Sequence, residues 1–167
     1  MRAAAEAAGG RLVDLGTRLK DIDSLRRKVE GRLRATPGAK AAEVLTGIND
    51  LVRYRIVAEA ADYWATVDAT IAGLRASSMH VTAARNTWDT SNYRALNATF
   101  LTTGGVLFEV QFHTPESRGA AARARPFYQE LRVTIDKRRR RQLYREIGLT
   151  FRDVPVPPGQ PTGTISL

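Results

Sequence analysis

Hydrophobic and polar residues alternate most regularly in the segment 106–114. A period of two predicts a strand, with apolar side chains on one face and Glu109, Gln111 and His113 on the other. A carboxylate, an amide and an imidazole side by side on a strand are typical of the floor of a functional site. An edge strand with a solvated polar face would show the same pattern, so other segments must distinguish the two interpretations.

The rest of the pattern predicts an alternation of helices and strands. Helical spacing and capping residues predict helices over 1–15, 21–34, 39–48, 61–76 and 116–147, with breaks near Gly9-Gly10 and at Pro126. Period two predicts strands over 51–57, 78–85, 94–102 and 106–113, with a hairpin at Thr103-Gly104-Gly105. This order is typical of an α+β or mixed α/β domain with a sheet of four or five strands.

The length of 167 residues is that of one domain, which we assign to residues 1–153. Residues 154–167 hold four of the seven prolines and are predicted to form an extended tail. The formal net charge of +9 favours an anionic partner, such as a nucleotide, RNA or an acidic membrane surface. The absence of cysteine excludes a disulfide, thiol catalysis and a zinc-thiolate site.

Neither a membrane span nor a signal peptide is predicted. No apolar run approaches the length needed to cross a bilayer. The Ala-rich N-terminus contains Glu6 and lacks the continuous apolar core of a secretory signal. We therefore expect no membrane partner, and export would need another route or an upstream segment.

A basic cluster occupies residues 18–28 at the start of a predicted helix. Backbone amides at a helix start attract phosphate, and arginine binds it with two parallel hydrogen bonds. A solvated helix face would also explain the charges, and the Gly-x4-Gly-Lys pattern of a P-loop is absent.

Two further features are consistent with phosphate and nucleotide chemistry. Asp50 opens a predicted strand, where it could hold Mg²⁺ beside substrate phosphates or simply cap a turn. Arg53 and Arg55 share a face of that strand, which suits a polyphosphate or an ion pair with Glu109 across the sheet. In the polar loop that follows Arg85, Tyr93 is the candidate for stacking on a base, and Trp88 for a lid over the core edge.

Four motifs together resemble the RelA/SpoT-like alarmone synthetases. The phosphate-binding pattern of that family, Arg-x-Lys-x3-Ser-Ile-x2-Lys, corresponds to Arg18, Lys20, Ser24, Leu25 and Lys28. The family's Asp-Leu-x3-Arg corresponds to Asp50, Leu51 and Arg55. The loop Gly-Tyr-x-Ser-Leu-His corresponds to residues 92–97, and the strand Glu-Ile-Gln-Ile-Arg-Thr to residues 109–114. The motifs follow in the family's order from about residue 16 to residue 116.

The sequence departs from the housekeeping enzymes on one side of the expected site. Asn92, Ala95 and Asn97 replace the Gly, Ser and His of the loop, and His113 replaces the Arg of the strand. A lysine that usually precedes the stacking tyrosine is absent, and Arg85 could substitute for it. These departures look more like toxin members of the family.

The resemblance implies a nucleotidyltransferase-like mixed sheet flanked by helices, and an enzyme that moves the β,γ-pyrophosphate of ATP to a ribose 3′-hydroxyl. Asp50 and Glu109 would be catalytic and would hold Mg²⁺. ATP would be bound by the following residues: Arg18, Lys20, Ser24, Arg27, Lys28 and Arg55. The acceptor, a purine nucleotide or the 3′ end of tRNA, would be bound by the following residues: Arg85, Tyr93, Asn97, Gln111 and His113.

The resemblance also implies a toxin or effector that acts in the bacterial cytoplasm, is made or delivered there, and is neutralised by an immunity or antitoxin protein. Two alternatives remain at this stage. The run Lys137–Arg141 is typical of a nucleic-acid-binding module without catalysis. A nucleotidyltransferase that moves AMP would use a similar site.

Overall fold

The computed structural model describes residues 1–160, so the part of the predicted tail beyond them, 161–167, lies outside the described residues. A five-stranded mixed sheet forms its centre, with strand order β1-β2-β5-β4-β3. The strands are β1 (Arg11–Val13), β2 (Arg53–Val57), β3 (His80–Asn86), β4 (Leu96–Leu101) and β5 (Leu107–His113). The helices are α1 (Arg2–Ala7), α2 (Ile22–Ala35), α3 (Ala41–Thr46), α4 (Tyr63–Ala76), α5 (Pro115–Leu131) and α6 (Lys137–Phe151). This architecture confirms the predicted fold class.

Strand β5 lies at the centre of the sheet, between β2 and β4. β2 and β5 are parallel, whereas the other neighbouring pairs are antiparallel. The hairpin predicted at residues 103–105 joins β4 to β5. Because side chains alternate along a strand, β5 buries Phe108, Val110 and Phe112 on one face and turns Glu109 and Gln111 to the other.

The core lies on the apolar face of the sheet, under α4. This helix buries Val67, Ile71 and Leu74. Its first residue, Tyr63, is fully buried, and its hydroxyl donates to the carbonyl of Phe112 at 2.8 Å and accepts from the amide of Leu96 at 3.0 Å. The start of α4 is thereby fixed to β4 and β5. Trp88, which the sequence suggested as a lid, is instead fully buried beside Tyr63.

The predicted first helix is wrong beyond residue 7. Residues 11–13 form β1, an edge strand antiparallel to β2. Gly10 permits the close approach, because a Cβ built there would lie 2.6 Å from Cγ2 of Ile56. Three residues are too few for period two to stand out, so tertiary pairing defines this strand.

The predicted break at Pro126 is also wrong, because α5 continues through it to Leu131. Proline removes one hydrogen-bond donor from the helix. Pro126 itself is exposed to solvent, while the buried side chains of Ala124 and Leu131 hold the turns on either side of it against the core. The chain turns only at residues 132–136, where Asp136 caps α6 by accepting from two backbone amides.

Helix α6 packs against α5, and its last residue, Phe151, meets the ring of Tyr93. It buries Leu143, Ile147 and Phe151, which recur every four residues. After α6, residues 154–160 have no regular secondary structure, and Val154 is buried in the core cluster. Within residues 1–160, no helix is both long and apolar enough to cross a bilayer.

Candidate active site

The polar face of the sheet carries two rows of functional side chains in register. The first row crosses β2, β5 and β4 as Arg53, Glu109 and Thr99. The second row runs from β2 to the edge strand β3 as Arg55, Gln111, Asn97 and Arg85. Neighbours in register project from the same face, so the sheet brings together residues that the sequence assigned to different motifs.

The segment before α2 runs along the start of β2. Leu19 forms an isolated antiparallel bridge with Val52. The amide of Arg53 donates to the carbonyl of Arg18 at 2.7 Å, and the amide of Lys20 to the carbonyl of Leu51 at 2.9 Å. Lys20 therefore lies next to Asp50 although 30 residues separate them.

Two lysines hold the carboxylate of Asp50. Lys20 Nζ donates to Oδ2 at 2.6 Å, and Lys28 Nζ, from the second turn of α2, donates to Oδ1 at 2.7 Å. Helix α2 begins at this position because Asp21 caps it, accepting from the amides of Asp23 and Ser24. Burial by itself would raise the pKa of Asp50, but the two lysines outweigh it and lower the pKa to about 2. The cap thus fixes the first turns of the helix that delivers Lys28.

Glu109 lies on β5 and is largely buried. Burial raises its pKa, the nearby Arg53 opposes that shift, and the negative charge of Asp50 adds to it. The carboxylate accepts from Nε2 of Gln111 at 2.8 Å. Nε of Arg53 is buried and has no hydrogen-bond partner among residues 1–160. A carboxylate with a raised pKa is a stronger base than an exposed one.

The amide of Glu109 donates to the carbonyl of Val52 at 2.9 Å, which brings Glu109 alongside the segment that carries Asp50. The negative charge of Asp50 accordingly contributes to the raised pKa of Glu109. Two carboxylates, completed by phosphate oxygens, are the donors that Mg²⁺ prefers. In the described part of the chain, no group of three or more His, Asp or Glu side chains is arranged to hold a metal ion. The donor set therefore fits an ion that arrives with a polyphosphate, provided that Lys20 and Lys28 turn from Asp50 to the phosphates.

The remaining cations that were predicted to bind ATP, Arg18, Arg27 and Arg55, make contacts with residues other than Asp50 and Glu109. Arg18 is exposed and donates to the carbonyl of Leu15. Arg27 is exposed and donates to Oγ of Ser24 at 3.1 Å. Arg55 is mostly buried, and its guanidinium lies 3.2 Å from Oγ1 of Thr17.

The predicted acceptor residues form a second group around Tyr93. The Tyr93 hydroxyl lies 3.3 Å from Oδ1 of Asn97 and 3.3 Å from Nε2 of His113. Its ring also meets the rings of His113 and Phe151 edge to face. Burial raises the pKa of Tyr93, and the carboxylate of Glu109 raises it further.

His113 does not line the open site as the strand pattern suggested. It is 1% exposed, and its Nδ1 lies 2.8 Å from Oγ of Ser117 in α5. Burial lowers its pKa to about 3. Sequence reasoning missed Ser117, whose signal is its place three residues after the capping residue Thr114. Arg85 stays exposed on β3, next to Asn97 in register.

Solved structures with the same fold are known. The small alarmone synthetase 1 from Bacillus subtilis bound to its product pppGpp superposes with a TM-score of 0.58 at 19% identity, covering 85% of this chain and 73% of that one. The same synthetase bound to AMPCPP gives 0.52 at 20% identity, covering 81% and 69%. The Type VI effector Tas1, in complex with its immunity protein, gives 0.56 at 19% identity, covering 90% and 84%.

No family model matches the sequence. No curated protein is significantly similar to it. Three of the four short motifs lie next to one another in this fold, since Lys20 and Lys28 of the basic segment hold Asp50, and the amide of Glu109 donates to Val52. The chain therefore has the fold of the RelA/SpoT-like small alarmone synthetases.

Proposed function

We propose that this protein is an ATP-dependent pyrophosphotransferase. The carrying observation is the convergence of two carboxylates, Asp50 and Glu109, with the basic segment that includes Lys20 and Lys28. Phosphoryl-type transfer needs mainly positioning and neutralisation of charge, which this set of groups supplies. The fold shared with structures that contain AMPCPP and pppGpp supports the same substrate class.

The reaction transfers the β,γ-pyrophosphate to the acceptor. A ribose 3′-hydroxyl attacks the β-phosphorus of ATP and forms a new oxygen–phosphorus bond. The bond between the β-phosphorus and the oxygen that bridges it to the α-phosphorus breaks, and AMP leaves. Glu109 is the group that accepts the proton of the attacking hydroxyl, since its raised pKa makes it a suitable base. Mg²⁺ held by Asp50 and Glu109 would neutralise the polyphosphate.

The two groups of residues bind the two substrates. Lys20 and Lys28, with Arg18, Ser24, Arg27 and Arg55 around them, bind the ATP phosphates. Tyr93 and Asn97, with Arg85 and Gln111 beside them in the sheet, bind the acceptor, which is a purine nucleotide or the 3′ end of tRNA. His113 is buried and therefore does not contact the acceptor. It instead contacts the hydroxyl of Tyr93 and helps to hold that ring in place.

We further propose that the protein is a bacterial toxin or effector with a cognate immunity protein. The departures on the acceptor side and the fold shared with the effector Tas1 support this role. Expression in bacteria should arrest growth, and Glu109→Ala should remove the arrest. Harmless wild-type protein at high expression, or equal toxicity of Glu109→Ala, would contradict the toxin role.

The direct test of the activity uses ATP labelled at the γ-phosphate, with GDP, ADP and tRNA supplied separately. Transfer of pyrophosphate puts the label on one acceptor and releases AMP. Transfer of AMP would instead leave the label in free pyrophosphate. A protein that only binds nucleic acid would consume no ATP.

Nucleic-acid binding remains a second candidate function, and helix α6 favours it. Arg138, Arg141 and Arg145 are exposed and recur along one side of the helix. Arg139 is paired with Glu130 and Glu146 and contributes less free charge. Phosphate backbones bind such arrays with strong salt dependence. RNA affinity that survives Glu109→Gln but falls with Arg141→Ala would support this function over catalysis.

A further inference from the structure

A buried chain of polar groups connects the backbone of Arg94 with the candidate acceptor site. Ser117 Oγ donates to the carbonyl oxygen of Arg94 and lies 2.8 Å from Nδ1 of His113. Nε2 of His113 lies 3.3 Å from the hydroxyl of Tyr93, which in turn lies 3.3 Å from the side-chain amide of Asn97. Both His113 and Ser117 are fully buried, so an unsatisfied polar atom in this chain would be costly.

The number of protons fixes the direction of these hydrogen bonds. A carbonyl oxygen only accepts, so the single hydroxyl proton of Ser117 lies toward Arg94. Ser117 then accepts from His113, which places a proton on Nδ1. Because burial lowers the pKa of His113 to about 3, the ring is neutral and Nε2 carries a lone pair. That lone pair accepts the proton of the Tyr93 hydroxyl.

The same count determines the orientation of Asn97. The Tyr93 hydroxyl has used its one proton on His113, so it meets Asn97 as an acceptor. In the structure it is Oδ1 of Asn97 that faces this hydroxyl. The two ends of an asparagine amide have nearly the same shape, so exchanging them keeps the packing and puts a nitrogen donor at this contact. Asn97 stands in register between Gln111 and Arg85, on the polar face of the sheet.

Resting on the proposed function, we propose that this buried chain turns the amide oxygen of Asn97, and not its nitrogen, toward the acceptor site. There it accepts a hydrogen bond from the acceptor nucleotide, for example from a ribose hydroxyl. Asn97 contacts the acceptor, whereas Ser117 and His113 are positioning residues. Through this series of hydrogen bonds, Ser117 on α5 influences the orientation of a side chain in a site formed by the sheet.

The first test is the tautomer of His113, which requires no turnover. The chain has two histidines, and the other, His80, is exposed on β3. Nitrogen-15 NMR of the full chain with labelled histidine rings, assigned with His80→Gln, should show His113 protonated at Nδ1 and unprotonated at Nε2. A proton on Nε2, or on both nitrogens, at neutral pH would overturn the proposal.

The second test is acceptor binding by calorimetry, with GDP and ADP titrated separately into the full chain. Ser117→Ala should weaken binding of the acceptor that binds wild type by about 3- to 10-fold, the effect of one hydrogen bond. Ser117→Thr keeps the hydroxyl and should restore it. The matched control, Ser77→Ala, removes an exposed hydroxyl directly after α4 that donates to the carbonyl of Gly73, and it should leave acceptor binding unchanged.

The two tests separate this proposal from the proposed function. Ser117→Ala should leave the KM for ATP unchanged, and equal weakening of both substrates would overturn the positioning role. If neither GDP nor ADP binds, and tRNA titrated in the same way does not bind either, the assignment of Asn97 to a nucleotide acceptor is overturned. If binding depends on Ser117 but no pyrophosphate is transferred, the proposed reaction fails and the orientation of Asn97 is supported.

Discussion

Lys20 Nζ lies 2.6 Å from Oδ2 of Asp50, in a pair that is mostly buried. Lys28 holds the other carboxylate oxygen, so without substrate the charge of Asp50 is compensated by the two lysines. A polyphosphate and its cation would take over both partners, because lysines turn to phosphate and the carboxylate turns to the metal. Binding of the polyphosphate with its cation is therefore expected to be coupled to breaking of the contacts between Asp50 and the two lysines.

The ion pair makes Asp50 important for stability as well as for transfer. We expect Asp50→Asn to abolish transfer and to lower the free energy of unfolding by about 1–3 kcal/mol, since Lys20 loses a charged hydrogen-bond partner in a buried position. Urea denaturation measures this change. Asp68→Asn, an exposed carboxylate on α4, is the control and should have little effect on either property.

The dependence of stability on pH should report the same contact. The pKa of Asp50 is lowered from 3.8 to about 2, so its contribution is present above pH 4 and is lost as pH falls through 2. The shift corresponds to about 2 kcal/mol. The difference in unfolding free energy between wild type and Asp50→Asn should therefore shrink over this range. A difference that stays constant down to pH 2 would contradict the assignment.

Glu109 should show the opposite sign. Its pKa is raised mainly by burial, so the folded state holds the proton more tightly than the unfolded state. Stability is therefore lost as pH rises from the ordinary pKa of 4.5 through the raised pKa, and the full cost of the charge is present above it. We expect Glu109→Gln to abolish transfer while raising the melting temperature at neutral pH. Scanning calorimetry of both proteins at pH 4 and pH 8 tests this, and the stabilisation should be larger at pH 8.

The basic segment should act on ATP more than on the acceptor. We expect Arg18→Ala and Lys20→Ala to raise the KM for ATP, with Lys20→Ala also lowering stability because it frees Asp50. Steady-state kinetics with each substrate varied in turn measures the effect. Arg26→Ala, an exposed arginine of α2 outside the motif, is the control. Equal changes for both substrates would mean that the segment does not bind ATP.

Tyr93 should contribute through its ring and its hydroxyl. Stacking on a base is worth about 1–3 kcal/mol, so Tyr93→Ala should weaken use of the acceptor roughly 10- to 100-fold. From the sequence, Tyr93→Phe is expected to be tolerated. The buried contacts of the hydroxyl with His113 and Asn97 change that expectation to a loss of about 2- to 10-fold in acceptor binding. Titration calorimetry of both variants distinguishes the two contributions.

Much of the fold follows from local pattern. Apolar alternation identified β5 and the hairpin to β4, because these signals depend on neighbouring residues in the chain. Helical spacing with a capping aspartate at 21 or 23 identified the start of α2, and the structure shows that Asp21 is the cap. Two elements did not follow. The strand β1 exists through pairing with β2, and α5 passes Pro126 because its flanking turns are held by the core.

The sequence by itself determined which residue types are present and in what order: a basic segment, an acidic strand start, a polar loop with tyrosine and a strand with glutamate. Only the tertiary structure decided which of them meet. Parallel pairing of β2 with β5 brought Arg53 beside Glu109, and chain crossing brought Lys20 to Asp50. Burial beneath Tyr93 and contact with α5 turned His113 from a site residue into a support, because side-chain environment depends on packing between distant segments.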